Sequence, residues 1–65
     1  MNLPDQIEAQ PGAIKIEWLA KKLSISRKTL YLIAARGKLP CFLIDGCVRL
    51  NPKSVADWLR RRMLS

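Results

Sequence analysis

Two short apolar stripes of helical period lie between Ile16 and Pro40, and only three residues, Ser24-Ile25-Ser26, separate them. In the first stripe Ile16, Leu19, Ala20 and Leu23 recur at i, i+3, i+4 and i+7. That spacing predicts a helix over residues 16–23 with one buried face, Lys21 and Lys22 pointing away from it. In the second, Leu30, Ile33 and Ala34 form the buried face of a helix over residues 27–36. Ser26 stands where an N-cap hydroxyl would accept from a free backbone N–H of that helix. Gly37 supplies the left-handed residue that ends it, and Pro40 prevents its continuation. Two short helices joined by so tight a turn make a helix-turn-helix.

Beyond Pro40 the period changes. Asp45-Gly46 lies between Cys41-Phe42-Leu43-Ile44 and Cys47-Val48-Arg49-Leu50, a strong signal for a β-hairpin. Two registers are open. A two-residue loop sets Leu43 opposite Val48. A three-residue loop puts Phe42 and Ile44 on one face with Val48 and Leu50; it buries the larger apolar set, leaves Arg49 outside, and is preferred on that ground. Asn51-Pro52 then opens a last helix, Asn as N-cap and Pro at the first helical position. Its core stripe is Val55, Trp58 and Leu59, with Trp58 expected as the largest single contribution to the core. Arg60, Arg61 and Arg62 lie near its end, where the helix dipole favours cations.

Residues 1–13 contain Pro4, Pro11 and Gly12, show no apolar period, and read as a flexible arm, with a packing role for Leu3 and Ile7 as the alternative. The expected fold class is α+β, mostly α. It is a small winged helix-turn-helix over residues 14–65 (helix, helix, hairpin wing, helix) behind an arm at 1–13.

Charge and composition narrow the function. The 65 residues hold 12 Lys and Arg against 5 Asp and Glu, a net +7. Asp5 and Glu8 both precede the first cation, Lys15, so the remainder of the chain is more basic still. That balance is the footprint of a partner for a polyanion, either nucleic acid or an acidic membrane. There is no histidine, and no nucleophile–base pair or metal set can be assembled, so neither an enzyme nor a bound cofactor or metal is expected. Cys41 and Cys47 are too few for a disulfide scaffold, face each other in neither register, and are expected as buried or half-buried free thiols. With no membrane-length apolar run, and acids where a signal peptide would have basic and apolar regions, the expected location is the cytoplasm. The apolar stripes are divided among three helices and a hairpin, which argues for a folded core rather than a membrane-surface peptide.

The stretch Ile14–Leu59 resembles the excisionase-family helix-turn-helix domain, which is related to the MerR-type winged helix. The resemblance is carried by Ala20, Leu23, Ile25, Ser26, Arg27, Thr29, Leu30 and Tyr31, then by Gly37, Lys38, Leu39, Pro40, Gly46, Arg49, Trp58 and Leu59, with no gap needed. Leu32 and Cys47 stand where the family often places polar or basic groups. The resemblance implies binding of double-stranded DNA with the second helix in the major groove and the hairpin wing along the backbone or in the minor groove. It further implies an architectural role in site-specific recombination beside an integrase or recombinase, with self-association on DNA. The same domain occurs in small transcriptional regulators, and the sequence does not separate the two roles.

If Leu30, Ile33 and Gly37 face the core, the opposite face of the second helix presents Lys28, Leu32 and Ala35. Arg27, Tyr31 and Arg36 flank it, and Thr29 lies towards its other edge. Arg27 and Lys28 can reach guanine or phosphate, Tyr31 can donate to a phosphate oxygen, and Leu32 can make only apolar contacts. Ser26 caps the helix whose N-terminus also offers N–H groups to a phosphate. Lys38 and Arg49 belong to the wing, where an arginine suits a narrow, negative groove. Trp18 lies off the first stripe and is expected to be exposed. Together with Leu32 it motivates a rival reading of another class, a protein–protein adaptor on the winged-helix scaffold.

Overall fold

The computed structural model describes residues 2–62. Four helices and one hairpin follow in order: α1 (Leu3–Glu8), α2 (Ile16–Leu23), α3 (Arg27–Ala35), β1 (Phe42–Ile44), β2 (Cys47–Arg49) and α4 (Pro52–Arg62). This is a small α+β winged helix-turn-helix with one helix more than the sequence suggests. Of the domain expected over 14–65, residues 63–65 lie outside the described residues.

Local chemistry sets the ends of the central elements. The Ser26 hydroxyl accepts from the Lys28 N–H at 3.1 Å and starts α3. Gly37, at φ +71°, ends it: its N–H donates to the Ala34 carbonyl at 2.9 Å, and the Lys38 N–H donates to Ile33 at 3.1 Å. This pair of bonds is a Schellman closure. The end of α2 has the same pattern, with Ser24 N–H on Lys21 and Ile25 N–H on Ala20, but a serine takes the left-handed position at φ 57°. The Asn51 side chain accepts from the N–H groups of both Lys53 and Ser54 and starts α4.

The hairpin takes the two-residue loop, not the preferred three-residue one. Phe42 pairs with Arg49, Leu43 with Val48 and Ile44 with Cys47. Asp45 and Gly46 have φ 49° and 78°, the paired positive values of a type I′ turn, whose twist matches the flanking strands. The burial argument for the other register fails because the wing stands off the core: Phe42, Leu43 and Ile44 are 40%, 70% and 51% exposed. For the same reason Cys41 and Cys47 are exposed free thiols rather than buried ones. Arg49 is not fully outside but half-buried, its guanidinium donating to the Val48 carbonyl at 2.7 Å.

The core unites Ile7, Ile14, Ile16, Leu19, Ala20, Leu30, Leu39, Leu50 and Val55. Ile14 and Leu50 exchange backbone hydrogen bonds at 2.9 Å each, tying the chain ahead of α2 to the end of the wing. Trp58 and Trp18 sit at the margin of this core. Trp58 is half-buried rather than its centrepiece, and Trp18 is half-buried rather than exposed, with the Lys22 ammonium 5.6 Å over its ring.

Within residues 2–13, Leu3–Glu8 form helix α1, which packs along α4, so the packing role for Leu3 and Ile7 is the one seen. The Asn2 side chain caps α1 by accepting from the Asp5 N–H at 3.0 Å, Pro4 sits in the first turn, and Pro4 and Ile7 are buried. A six-residue helix is too short to show a periodic stripe, and its Asn and Pro start signals resemble loop punctuation when read alone. What holds it is tertiary: the buried Ile7, and the Asp5 and Glu8 carboxylates on an arginine of α4. The Arg60 guanidinium reaches Asp5 at 2.7 Å, Glu8 at 2.6 Å and Asp57 at 3.1 Å.

Candidate nucleic-acid interface

The interface expectation rests on α3, and the fold leaves its outer face open. Arg27, Lys28, Thr29, Tyr31, Leu32, Ala35 and Arg36 are all exposed, while Leu30 is fully buried beneath them. The first turn of α3 has no acidic residue and instead carries Arg27 and Lys28. Cations there oppose the positive end of the helix dipole, an arrangement that costs the isolated helix stability. An anion at the same place would offset both the dipole and the side-chain charges.

Arg60 makes every salt bridge among the described residues. None of the other lysines and arginines has a carboxylate within 4.0 Å among those residues. Three of the chain's five acids are thus gathered at the α1–α4 end. The positive charge of α3 and the wing stays free to act on an external anion.

One acid does lie on the α3 side. The Tyr31 hydroxyl donates to Glu17 of α2 at 3.0 Å. This bond crosses the helix-turn-helix and fixes the phenol ring on the outer face. Glu17 is held below its ordinary value of 4.5 by its own backbone N–H, then by the Tyr31 hydroxyl, with the charges of Arg27 and Lys15 adding to the effect. Tyr31 is pushed above its ordinary value of 10.0, first by the bond to Glu17, while the charges of Arg27 and Arg49 pull the other way. Those opposing influences bring the wing arginine and the start of α3 into one electrostatic neighbourhood around Tyr31. A phenol has one proton, so a phosphate could receive it only in place of Glu17.

The remaining sequence-derived residues divide. Ser26 is occupied as a cap. Lys38 is exposed, and its carbonyl accepts from the Trp58 indole N–H at 2.6 Å, which pins the base of the wing to α4. Arg49 is half-buried on the wing. Glu17 escaped the sequence reading because its partner is 14 residues away; only the packing of α2 on α3 brings them together. The apolar outer strand of the wing was legible as a strand but not as a surface.

Residues 14–63 match the family model of a helix-turn-helix domain. The chain matches no curated protein and no solved structure at a significant level.

Proposed function

The chain belongs to that helix-turn-helix family and is a DNA-binding protein of this kind; from this premise we propose an excisionase-type architectural role, with α3 seated in the major groove of duplex DNA. The observation that carries the binding mode is the start of α3, where Arg27 and Lys28 stand exposed on the positive end of a helix, without a carboxylate within 4.0 Å among the described residues. In this reading Arg27 and Lys28 meet base edges or flanking phosphates, and Thr29 and Leu32 line the groove. Arg36, Lys38 and Arg49 serve the backbone, and Ser26 sets the helix that presents them. Tyr31 exchanges Glu17 for a phosphate oxygen. The excisionase role itself is supported by the residue pattern from Ile14 to Leu59, and a cytoplasmic location goes with it. No helix among the described residues is long and apolar enough to cross a membrane.

One observation favours a protein on the wing side as well. Phe42, Leu43 and Ile44 form an exposed apolar strand with Asp45 at the turn. That suits an integrase or a second copy of this chain better than a row of phosphates.

The test is duplex binding across a salt series. If four to six phosphates are neutralised, log K falls against log salt with a slope of about −4 to −5. Arg27→Gln with Lys28→Gln should weaken binding about a hundredfold near 0.1 M salt and make the slope shallower by about 2. A double variant that binds like the parent would rule out α3 as the contacting helix. A bend measured by circularly permuted fragments, together with stimulated excision beside an integrase, would separate the architectural role from promoter binding alone.

A further inference from the structure

Three consecutive arginines close α4, and the fold gives them different surroundings. Arg60 is enclosed by Asp5, Glu8 and Asp57. Arg62 lies one turn beyond Trp58, its guanidinium carbon 4.6 Å from the centre of the indole ring. A guanidinium stacked on a ring keeps its edge N–H donors available for a planar anion. The Arg61 Nε donates to the Asp57 carbonyl at 3.4 Å, and Arg61, Arg62 and Trp58 line a shallow hollow of about 290 Å³. The helix dipole accounts for cations in a last turn. It does not account for the other tie of Trp58, the 2.6 Å hydrogen bond from its indole N–H to the Lys38 carbonyl. Through that bond the ring beneath Arg62 is anchored to the segment that directly follows α3. Arg61, Arg62 and Lys38 are all exposed, and none has a carboxylate partner among the described residues.

We propose that Lys38, Arg61 and Arg62 form a second phosphate-binding edge, with Trp58 as its platform, and that the DNA strand flanking the groove occupied by α3 rests on it. The scale is suitable. The nine residues of α3 span about 14 Å, close to the ~12 Å width of a B-form major groove. With the first turn of α3 at the bases, its far end lies at the height of a sugar-phosphate backbone. This inference rests on the DNA-binding reading and adds to it a contact surface on α4. It also explains the separation of the arginines: the α1 acids neutralise Arg60 and leave its two neighbours free.

The experiment compares two charge-matched double variants of the full chain by fluorescence anisotropy on a labelled mixed-sequence duplex across a salt series. Circular dichroism checks that each variant is folded. Arg61→Gln with Arg62→Gln should weaken binding about tenfold or more and make the log–log salt slope shallower by about 1–2. Lys21→Gln with Lys22→Gln removes the same charge from α2 and should change affinity by no more than about twofold, since net charge alone acts weakly through salt. Equal losses in the two variants would overturn the proposal, because the effect would then be one of net charge. If the arginine variant binds like the parent while Arg27→Gln with Lys28→Gln still weakens binding, the second edge falls and the α3 reading stands. A parent chain with no salt-dependent duplex binding would remove both. Loss of polyglutamate binding in the arginine variant, with duplex binding intact, would assign the edge to an acidic protein and overturn the proposal.

Discussion

At the α1–α4 end of the molecule three carboxylates converge on one arginine; along α3 and the wing, no cation has a carboxylate within 4.0 Å among the described residues. The two regions draw on the same basic composition and use it in opposite ways. Arg60 is spent internally, and the acids around it hold its pKa well above the ordinary value for arginine, Glu8 first and Asp5 next. Arg27 and Lys28 are placed where a helix dipole disfavours them, and neither has a carboxylate within 4.0 Å among the described residues. A local rule satisfied at one end and broken at the other is the pattern expected when one end serves the fold and the other serves a ligand. Net charge alone could not distinguish a DNA partner from a membrane; this sorting of charge within a helix-turn-helix does.

Three experiments would break or sharpen that contrast. The largest effect should come from Ile7→Ala, which removes a fully buried side chain from the α1 side of the core. It should cost about 2–4 kcal/mol in urea unfolding, a large share of the stability of so small a domain. Duplex affinity measured on the folded fraction should not change. If stability is unaltered, α1 is an ornament and the structural end of the comparison disappears.

Arg60→Gln should have a smaller effect. Its side chain and its three partners are all partly exposed, so their attraction is screened. The thermal midpoint should drop, and the drop should shrink as salt is raised. The salt slope of duplex binding should keep its parental value. A slope that becomes shallower would show that Arg60 also touches the backbone and that the two regions are not separate.

The smallest effect concerns Glu17, the acid on the α3 side. Its pKa is depressed in the folded chain. Its contribution is therefore complete above the unfolded value, near 4.5, and is lost as pH falls through the lower folded value. Tyr31 has the opposite sign: its pKa is raised, so its contribution is present below about 10 and is lost as pH rises through the folded value. Thermal melts of the parent should lose stability at both margins, and Glu17→Gln should flatten both. If duplex binding trades Glu17 for phosphate, Tyr31→Phe should lower affinity by less than the α3 cation pair does. A parental affinity in Tyr31→Phe would leave the phenol as a purely internal tie.

Much of this architecture was legible because its signals act over a few residues. The Ser26 and Asn51 caps, the Gly37 closure and the stripes of α2 and α3 each need only neighbours within one or two helical turns. The exposed face of α3, and with it Arg27, Lys28, Thr29, Leu32 and Arg36, followed from period alone. In the hairpin two signals conflict. Asp45-Gly46 favours the two-residue turn and burial of Phe42 and Ile44 favours the longer loop; the turn prevails because the strand is exposed.

What the sequence determined by itself was the set of elements from α2 to α4, the ends of α2 and α3, the start of α4, and the excess of positive charge. These depend on backbone geometry and on hydrogen bonds that close within about four residues. The tertiary structure alone decided that α1 is a helix and where each charge is used. Arg60 meets Glu8 and Asp5 across 52 and 55 residues of chain, and Tyr31 meets Glu17 across 14. A side chain's electrostatic partner is whichever group packing brings within a few ångströms, and no local pattern specifies that distance.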